Sequence, residues 1–494
     1  MEHGAPKINV LMVSFATQGH MNPMLRLAKQ LQSKANIQVT LATTEIFYHH
    51  LLKQNNHNVT TTTSNNTLSI SGIDFESFPD GFDLDYDRKS NLNTYLDTLA
   101  KVGPTNLYNL IISLSTNQIS PKKFSCIITS PFVPWATNVA VRLRIPCAML
   151  WIQPCTLFAI YHSYYNNLNY FPTKENPHIS VKLPCLPLLE ASDLPSIVLP
   201  ENPITGMNES LSQAVKNVDN IRWVLANSFY ELEKEVVEYL SKFVDIKAVG
   251  PLVPPTVLLG EEHCHGNDDH VGINLWKPED KCIDWLKQNK DNSVIYVSFG
   301  SVIMLSREQL EIIGKALINC KRPFLWVVKE KNYSVSEGAR EFLEWFLDET
   351  KEQGMVVKWC SQDKVLSHKS LGCFLTHCGW NSMLETISVG VPVIAYPFWT
   401  DQPTNAKLMC DLFGVGLRLW PNKDGLVGVE EIMKCIEVVM DGPRAVEFRA
   451  KAAEWKNNAR EVVVHGGSSD RNIQDFVDDI IQTSSAVKYN VDTE

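Results

Sequence analysis

The sequence predicts an α/β protein made of two similar halves, each built on a parallel sheet, that face each other across a cleft. Two βα units carry this prediction: the strand NVLMVSFA before one helix-forming stretch, and the strand SVIYVSFGS before SREQLEIIGKAL. The letters VSF end both strands, at 13–15 and 297–299, and a Gly-containing turn follows each. Strands that alternate with helices form parallel sheets, which bind ligands beyond the carboxyl ends of their strands.

In the first half, the helix after the opening strand is predicted to begin near Pro23. Asn22 is the expected N-cap, and proline suits the first helical position. The apolar residues that follow have helical spacing: Leu25, Leu27, Ala28 and Leu31. The segment IQVTLATT, at 37–44, is the predicted second strand, which completes a βαβ unit.

A stretch punctuated by proline and glycine and followed by a polar run predicts a linker at 251–275. We therefore expect a first Rossmann-like domain at 1–250 and a second at 276–465. Strands PFLWVVK, MVVKW, GCFLTH and VPVIAYP belong to the second domain. The segment 466–494 is expected to contain a terminal helix from about 469 to 482.

Composition disfavours several classes of partner. The 494 residues carry a net charge of -10, whereas nucleic acids and anionic membrane surfaces attract basic proteins. No apolar run approaches the ~20 residues of a membrane span, and the first apolar run lacks the flanks of a leader. The 12 cysteines are scattered without a CxxC pair. We expect a cytoplasmic monomer that binds small molecules.

Residues 376–402, THCGWNSMLETISVGVPVIAYPFWTDQ, hold the strongest local signal. An apolar strand ends at His377, and a helix is predicted at 381–389. The unpaired N–H groups at a helix start carry partial positive charge and suit an anion. Asn381 and Ser382 add side-chain donors there, so the segment predicts a phosphate site. An ordinary capped helix is the alternative.

Neighbouring residues extend this site to a whole ligand. Glu385 lies one helical turn beyond Asn381, and a carboxylate beside a phosphate site commonly binds a sugar diol. Trp359 could stack on a nucleobase, although a core tryptophan is the alternative. Asp401 and Gln402 offer acceptors and donors at fixed spacing for sugar hydroxyls. Together these residues indicate a nucleotide sugar.

The block from Trp359 to Gln402 resembles the donor-binding box of plant UDP-dependent glycosyltransferases of secondary metabolism. It begins WCSQDKVLSHKSLGCFLTHCGWNS and ends FWTDQ; TQGHMNP and FLWVV extend the resemblance over essentially the whole chain. The resemblance implies the GT-B fold, in which two Rossmann-like domains face each other across a cleft. It places the acceptor in the first domain and the donor in the second, and it returns the C-terminal helix to the first domain.

The resemblance also assigns donor-binding roles by position. Trp359, with Cys360 beside it, would meet uracil, and Gln362 and Glu385 would bind the ribose. The diphosphate would lie against Ser301, His377, Asn381 and Ser382. The sugar would contact Trp380, Asp401 and Gln402, and the terminal glutamine favours UDP-glucose.

His20 matches the catalytic base of this family. A neutral imidazole near its ordinary pKa of ~6.5 removes an acceptor proton at neutral pH. The family usually places an aspartate behind this histidine, but the strand FSCIITSPF has Ser130 there. A serine supplies no charge, so His20 is predicted to be a weaker base. The acceptor pocket is predicted to include Gln18, Gly19, Phe132 and Trp151.

An acceptor that is already ionised needs this base least. A carboxylic acid with a pKa of ~4–5 is anionic at neutral pH, whereas a phenol near ~10 is not. The segments SPFVPW, AMLWIQPC and LPCLPLLEASDLPS also resemble the subgroup that makes glucose esters of auxin-type and aromatic acids. The predicted product is a β-glucose ester formed by inversion. O-glucosylation of a phenol or flavonoid is the alternative, followed by a nucleotide-sugar binder with little activity and by an epimerase.

No metal or other cofactor is expected, because the helix start would stabilise the diphosphate charge. Two segments are weak signals for a metal site. Asp83, Asp85 and Asp87 have the DxD spacing of some metal sites but fall in a loop of the first half. The run HCHGNDDH, at 263–270, falls in the predicted linker.

Overall fold

The computed structural model describes residues 7–34, 36–53, 59–62, 67–88, 90–202, 205–260, 272–273, 279, 281–329 and 337–491. Within these ranges the chain forms two large sheets, one from each half of the sequence. This arrangement confirms the prediction of two α/β halves.

The first sheet has the strand order β11-β10-β7-β6-β1-β2-β5-β4-β3 in the described part of the chain. Its pairings are parallel except for those of β3 with β4 and of β4 with β5. Its first seven strands along the chain are β1 Ile8–Val13, β2 Ile37–Thr44, β3 Val59–Thr62, β4 Thr67–Ile70, β5 Ile73–Phe78, β6 Phe124–Thr129 and β7 Cys147–Trp151. The last two strands of this sheet are β10 Trp223–Ala226 and β11 Ile246–Ala248. Between β7 and β10 the chain forms a separate two-stranded sheet of β8 Val181–Lys182 and β9 Leu188–Leu189.

The sheet of the second half is parallel, with the order β14-β13-β12-β15-β16-β17 among the described residues. Its strands are β12 Val294–Ser298, β13 Phe324–Val327, β14 Gly354–Val357, β15 Leu371–Thr376, β16 Val393–Ala395 and β17 Gly416–Arg418. The carboxyl ends of β12 and β15 are neighbours, because Ser298 pairs with Thr376. The turns after these two strands therefore meet at one edge.

Helices connect the strands and cover both sheets. In the first half they are α1 Gln18–Lys34, α2 Glu45–Lys53, α3 Leu92–Ser115, α4 Trp135–Arg142, α5 Cys155–Tyr165, α6 Thr205–Lys216, α7 Lys234–Leu240 and α8 Pro255–Leu259. In the second they are α9 Lys281–Leu286, α10 Arg307–Cys320, α11 Glu337–Glu349, α12 Gln362–Leu366, α13 Trp380–Val389, α14 Gln402–Lys407, α15 Val429–Met440, α16 Gly442–Glu461 and α17 Ser468–Val491.

Each central strand is buried on both faces, as a parallel sheet requires. Val10 and Met12 of β1 join one apolar cluster, while Leu11 and Val13 join another. This split follows from the two-residue period of a strand, which sends successive side chains to opposite faces. The core therefore consists of a layer of helices against each face of each sheet.

The first helix begins earlier than predicted. It starts at Gln18, so Pro23 lies inside it and Asn22 is not its N-cap. The N–H groups of His20 and Met21 both donate to the carbonyl of Thr17, which closes the first turn directly after β1. The Asn22 amide instead pairs with the backbone of Ile273, so it ties the predicted linker to α1.

The C-terminal helix α17 packs on the first domain, as the resemblance implied. Phe476 and Val477 are fully buried in the same cluster as Val10 and Met12. The Trp223 indole Nε1 donates to the Asp479 carboxylate over 3.1 Å. Among the described residues, no helix has both the length and the apolar character needed to span a bilayer.

Candidate active site

The start of α13 lies where a tight turn follows β15. Cys378 adopts a φ of 66°, in the left-handed region, and its N–H donates to the Thr376 hydroxyl over 3.3 Å. The helix then begins at Trp380, so Asn381 and Ser382 lie in its first turn, as predicted.

The His377 imidazole packs between two glycines. A Cβ atom on Gly300 would lie 2.5 Å from Nε2, and one on Gly379 would lie 2.8 Å from it. Burial and the positive charge of Lys329 lower the His377 pKa to about 4, so the ring is neutral at pH 7. Its Nδ1 and the Oδ1 of Asn381 are buried and lack a hydrogen-bond partner within the described ranges. Because buried polar atoms are normally bonded, these two distinguish the helix start from ordinary core.

The residues predicted to bind ribose form one network. The Gln362 amide nitrogen donates to the Ser382 hydroxyl and to the Glu385 carboxylate, each over 2.9 Å. The Tyr296 hydroxyl donates to Gln362 Oε1 over 3.3 Å and also lies 3.4 Å from the Cys360 sulfur. Cys360 is buried.

Sequence reasoning missed Arg26, which approaches Glu385 from the first domain. Its guanidinium is 3.8 Å from the Glu385 carboxylate and donates to the Leu252 carbonyl over 2.9 Å. Burial raises the pKa of Glu385, and Arg26 opposes that rise. A charged residue within the apolar stripe of α1 was the available signal, because buried charges are normally paired.

The residues predicted to contact the sugar lie in a turn between β16 and α14. The Asp401 carboxylate accepts from the Thr400 hydroxyl over 2.8 Å and from the Asn405 amide over 2.7 Å, and burial raises its pKa. The Gln402 carbonyl oxygen accepts from the Phe398 N–H over 3.0 Å. Both side chains are therefore held by their own segment.

The Trp380 indole lies between the two domains, and the contact of this residue with the sugar stays a prediction. Only 3% of the residue is exposed, and its Nε1 donates to the Asn227 carbonyl over 2.7 Å. Its backbone N–H bonds the carboxylate of Asp401, which is one of the residues predicted to contact the sugar.

Trp359 and Ser301 lie beside Lys329, which lies outside the block from Trp359 to Gln402. The Lys329 ammonium bonds the Gly300 carbonyl and lies 5.5 Å from the centre of the Trp359 ring. Ser301 is exposed in the turn directly after Gly300. Lys329 ends the stretch FLWVVK, so its approach depends on the adjacency of β13 and β12 rather than on any sequence motif.

His20 lies in the first turn of α1 against two aromatic rings. The centroids of Phe15 and Phe132 are 5.4 and 4.8 Å from its ring, both with an edge-on orientation. The Nδ1 of His20 is 3.4 Å from the Ser130 hydroxyl, so serine occupies the position behind the ring as predicted. Burial lowers the His20 pKa to about 3, which corrects the expectation of an ordinary value.

Of the other predicted pocket residues, Gln18 and Gly19 adjoin His20 in α1 and are at least partly exposed. Trp151 differs, because its side chain is fully buried and its Nε1 donates to the Pro154 carbonyl over 2.9 Å. Its burial places it in the core beneath the site, which does not favour a direct contact with an acceptor.

A hydrogen bond joins Asn381 of the second domain to Gly19, which is next to His20 in the first. The Asn381 side-chain nitrogen donates to the Gly19 carbonyl over 2.8 Å. In an α-helix this carbonyl would accept from residue 23, but Pro23 has no N–H. The proline inside α1 therefore frees an acceptor next to His20 for a donor at the start of α13.

The described residues contain no group of three or more His, Cys, Asp or Glu side chains arranged to hold a metal ion. The loop with Asp83, Asp85 and Asp87 is described, and the Asp87 carboxylate accepts from the Ser90 N–H over 3.1 Å. The segment 263–270 lies outside the described residues.

A cleft between two Rossmann-like domains, with a histidine on one wall and a helix start on the other, is the arrangement expected of a nucleotide-sugar-dependent transferase. A model of the family described as "UDP-glucoronosyl and UDP-glucosyl transferase" matches residues 211–443. Similar proteins include UDP-glycosyltransferase 84B2 of Arabidopsis thaliana, with 41% identity over 95% of this chain and 99% of the relative. Gallate 1-beta-glucosyltransferase 84A24 of Punica granatum is 39% identical over 98% of this chain and 90% of the relative. The chain belongs to this family and is a UDP-glucosyltransferase.

Solved structures confirm the predicted GT-B fold. Os79 from O. sativa in complex with UDP superposes with a TM-score of 0.80 at 30% identity, covering 95% of this chain and 100% of that one. A UDP-glucosyltransferase from Polygonum tinctorium, capable of glucosylating indoxyl, gives a TM-score of 0.78 at 26% identity, covering 97% and 99%.

Proposed function

We propose that this enzyme transfers glucose from UDP-glucose to the carboxylate of a small aromatic or auxin-like acid, giving a β-glucose ester. The observation that carries the proposal is the 2.8 Å bond between Asn381 and the Gly19 carbonyl. This bond places the start of α13, which suits a diphosphate, next to Gly19, and Gly19 directly precedes His20. A sugar attached to that diphosphate would then lie close to an acceptor beside His20.

The donor binds along one line of residues in the second domain. Uracil stacks on Trp359, and the ribose hydroxyls bond Gln362 and Glu385, whose side chains already point to one another. The diphosphate takes the start of α13, with Ser301 and His377 alongside. Asp401 and Gln402 then receive the hexose hydroxyls.

The reaction is a single displacement at the anomeric carbon. A carboxylate oxygen of the acceptor forms the new bond from the face opposite UDP, while the bond from the anomeric carbon to the diphosphate oxygen breaks. UDP leaves with the electron pair, and negative charge develops on its diphosphate. The N–H groups and partial positive charge at the start of α13 stabilise that charge, so no divalent metal is required.

The acceptor class follows from the surroundings of His20. Its imidazole is neutral, packed against aromatic rings, and backed by the Ser130 hydroxyl rather than by a carboxylate. Within the described part of the chain burial is the only cause that shifts its pKa, so no carboxylate there stabilises the imidazolium that forms when a phenol is deprotonated. A carboxylic acid arrives ionised and needs no such step. The gallate 1-beta-glucosyltransferase name of the Punica granatum relative supports the same class.

A panel of acceptors tests the proposal. Purified enzyme is incubated with radiolabelled UDP-glucose and with aromatic acids, auxin-like acids, phenols and flavonoids, and each product is treated with mild base. Base-labile products from the acids are expected, because esters hydrolyse where phenolic glucosides persist. Base-stable products alone would favour O-glucosylation of a hydroxyl. UDP binding without transfer to any acceptor would favour a binding protein.

A further inference from the structure

The turn that carries Asp401 and Gln402 is held by a residue of the first domain. Thr400 has a φ of 54°, a left-handed conformation that β-branched residues rarely adopt. Its N–H donates to the Ser196 hydroxyl over 2.8 Å, and its carbonyl accepts from the Ser196 N–H over 2.9 Å. Both backbone polar groups of this strained residue are therefore bonded by one serine, 204 positions away in the sequence.

The loop that presents Ser196 is anchored to the second domain by a buried ion pair. Asp193 is only 3% exposed, and its carboxylate lies 3.0 Å from Arg418 and 3.3 Å from Lys407. Its carbonyl accepts from the Thr404 hydroxyl over 2.7 Å. Arg418 also donates to the Ser192 carbonyl over 2.8 Å. These contacts fix the loop in position, so that Ser196 meets Thr400 in a defined geometry.

We propose that Ser196 is a positioning residue for the donor sugar, which it orders by holding Thr400 and hence the adjoining Asp401 and Gln402. The proposal rests on the proposed function, in which these two residues receive the hexose hydroxyls. The Thr400 hydroxyl donates to Asp401 Oδ1 over 2.8 Å, so a shift of Thr400 displaces that carboxylate directly.

The consequence is that the acceptor domain takes part in the choice of sugar. Glucose and galactose differ only in the orientation of one hydroxyl, so discrimination between them depends on where fixed polar groups lie. A turn released from Ser196 would recognise both sugars less well and distinguish them less. The uracil and phosphate contacts lie on other elements and would be unaffected.

The test compares Ser196→Ala with the unmodified enzyme. The variant removes the hydroxyl that accepts from Thr400 and keeps the backbone N–H. We expect the ratio of kcat/KM for UDP-glucose to that for UDP-galactose to fall about fivefold, which corresponds to one ordinary hydrogen bond. The KM for UDP-glucose should rise, while the Kd for UDP, measured by calorimetry, should not change. Ser196→Thr, which keeps the hydroxyl, should retain the ratio of the unmodified enzyme.

Ser192→Ala is the matched control, because this exposed serine of the same loop contacts Arg418 through its carbonyl. An unchanged sugar ratio in Ser196→Ala would overturn the proposal, and so would an equal loss of affinity for UDP itself.

If Ser196→Ala does not fold, Arg418→Lys tests the same anchor, since lysine lacks the planar fork that bonds both Asp193 and Ser192. The ratio of kcat/KM for UDP-glucose to that for UDP-galactose should fall in this variant too, and an unchanged ratio would count against the proposal. Failure of the unmodified enzyme to bind UDP or transfer glucose would instead refute the proposed function.

Discussion

Arg26 of α1 and Glu385 of α13 form a buried ion pair between the two domains, with 3.8 Å separating the guanidinium from the carboxylate. Burial raises the pKa of the Glu385 carboxyl, because a buried carboxylate is poorly solvated. Arg26 opposes the rise that burial causes in the pKa of Glu385, so a residue of the acceptor domain favours the charged form of the predicted ribose site.

Arg26→Gln should weaken UDP binding about tenfold, because the pKa of Glu385 rises further without its cation. The free energy of unfolding should also fall by about 3 kcal/mol, as is typical when one partner of a buried pair is removed. Arg88→Gln is the control, since it breaks the buried pair with Asp80 inside the first domain. That variant should lose stability without losing affinity for UDP, and equal losses of affinity in both would contradict the role of Arg26.

Asn381→Asp should weaken UDP binding by at least about tenfold, because a carboxylate replaces a donor where two phosphates are expected. It should also break the bond to the Gly19 carbonyl. Titration calorimetry with UDP measures the effect. Asn289→Asp removes a similar bond, from Asn289 Nδ2 to the Trp285 carbonyl, outside the predicted donor segment. Affinity in that control should be unchanged, and an unaffected Asn381→Asp would place UDP elsewhere.

His20→Ala should lower transfer to phenols more than transfer to carboxylic acids. A phenol must lose its proton during attack, whereas a carboxylate has already lost it. The ratio of kcat/KM for the two acceptor types is the measurement. His162→Ala serves as the control, because that histidine packs on Phe243 in the first domain. A loss of equal size with both acceptors would argue against an ionised substrate.

Ser130→Asp should increase transfer to phenols about tenfold and leave transfer to carboxylic acids nearly unchanged. A carboxylate near Nδ1 raises the pKa of His20 by stabilising the imidazolium. Ser130→Asn, of the same size without charge, separates the charge from the shape of the new side chain. Since Ser130 is fully buried, both variants should lower Tm. No gain in phenol transfer by the aspartate over the asparagine would contradict this account.

With a carboxylic acid acceptor, kcat/KM should not change with pH through protonation of His20. Burial lowers the pKa of this histidine to about 3, so it binds no proton as the pH falls from neutral towards 5. We expect kcat/KM to be flat between about pH 6 and 8 and to fall below about 5, where the acceptor itself becomes protonated. Initial rates at saturating UDP-glucose measure this. A limb near 6.5 would mean that His20 titrates like an exposed histidine.

The order of strands and helices and the donor segment could be predicted from the sequence. Apolar strands such as GCFLTH and VPVIAYP are continuous because both faces of a parallel sheet are buried, and the turn at Cys378 and Gly379 follows from local residues. The placement of Asn381, Ser382 and Glu385 on one short helix depends only on helical spacing. Such features depend on neighbours in the chain, so the fold class and a candidate donor segment could be inferred without coordinates.

The residues that meet across the cleft could not be identified from the sequence. Arg26 reaches Glu385, Ser196 holds Thr400, and Pro23 leaves the Gly19 carbonyl to Asn381 because the two domains pack in one particular relation. Burial likewise lowers the pKa of His20, and the rings of Phe15 and Phe132 that pack on it belong to different turns. Contacts and burial of this kind depend on distances between segments far apart in the chain, and no local pattern records those distances.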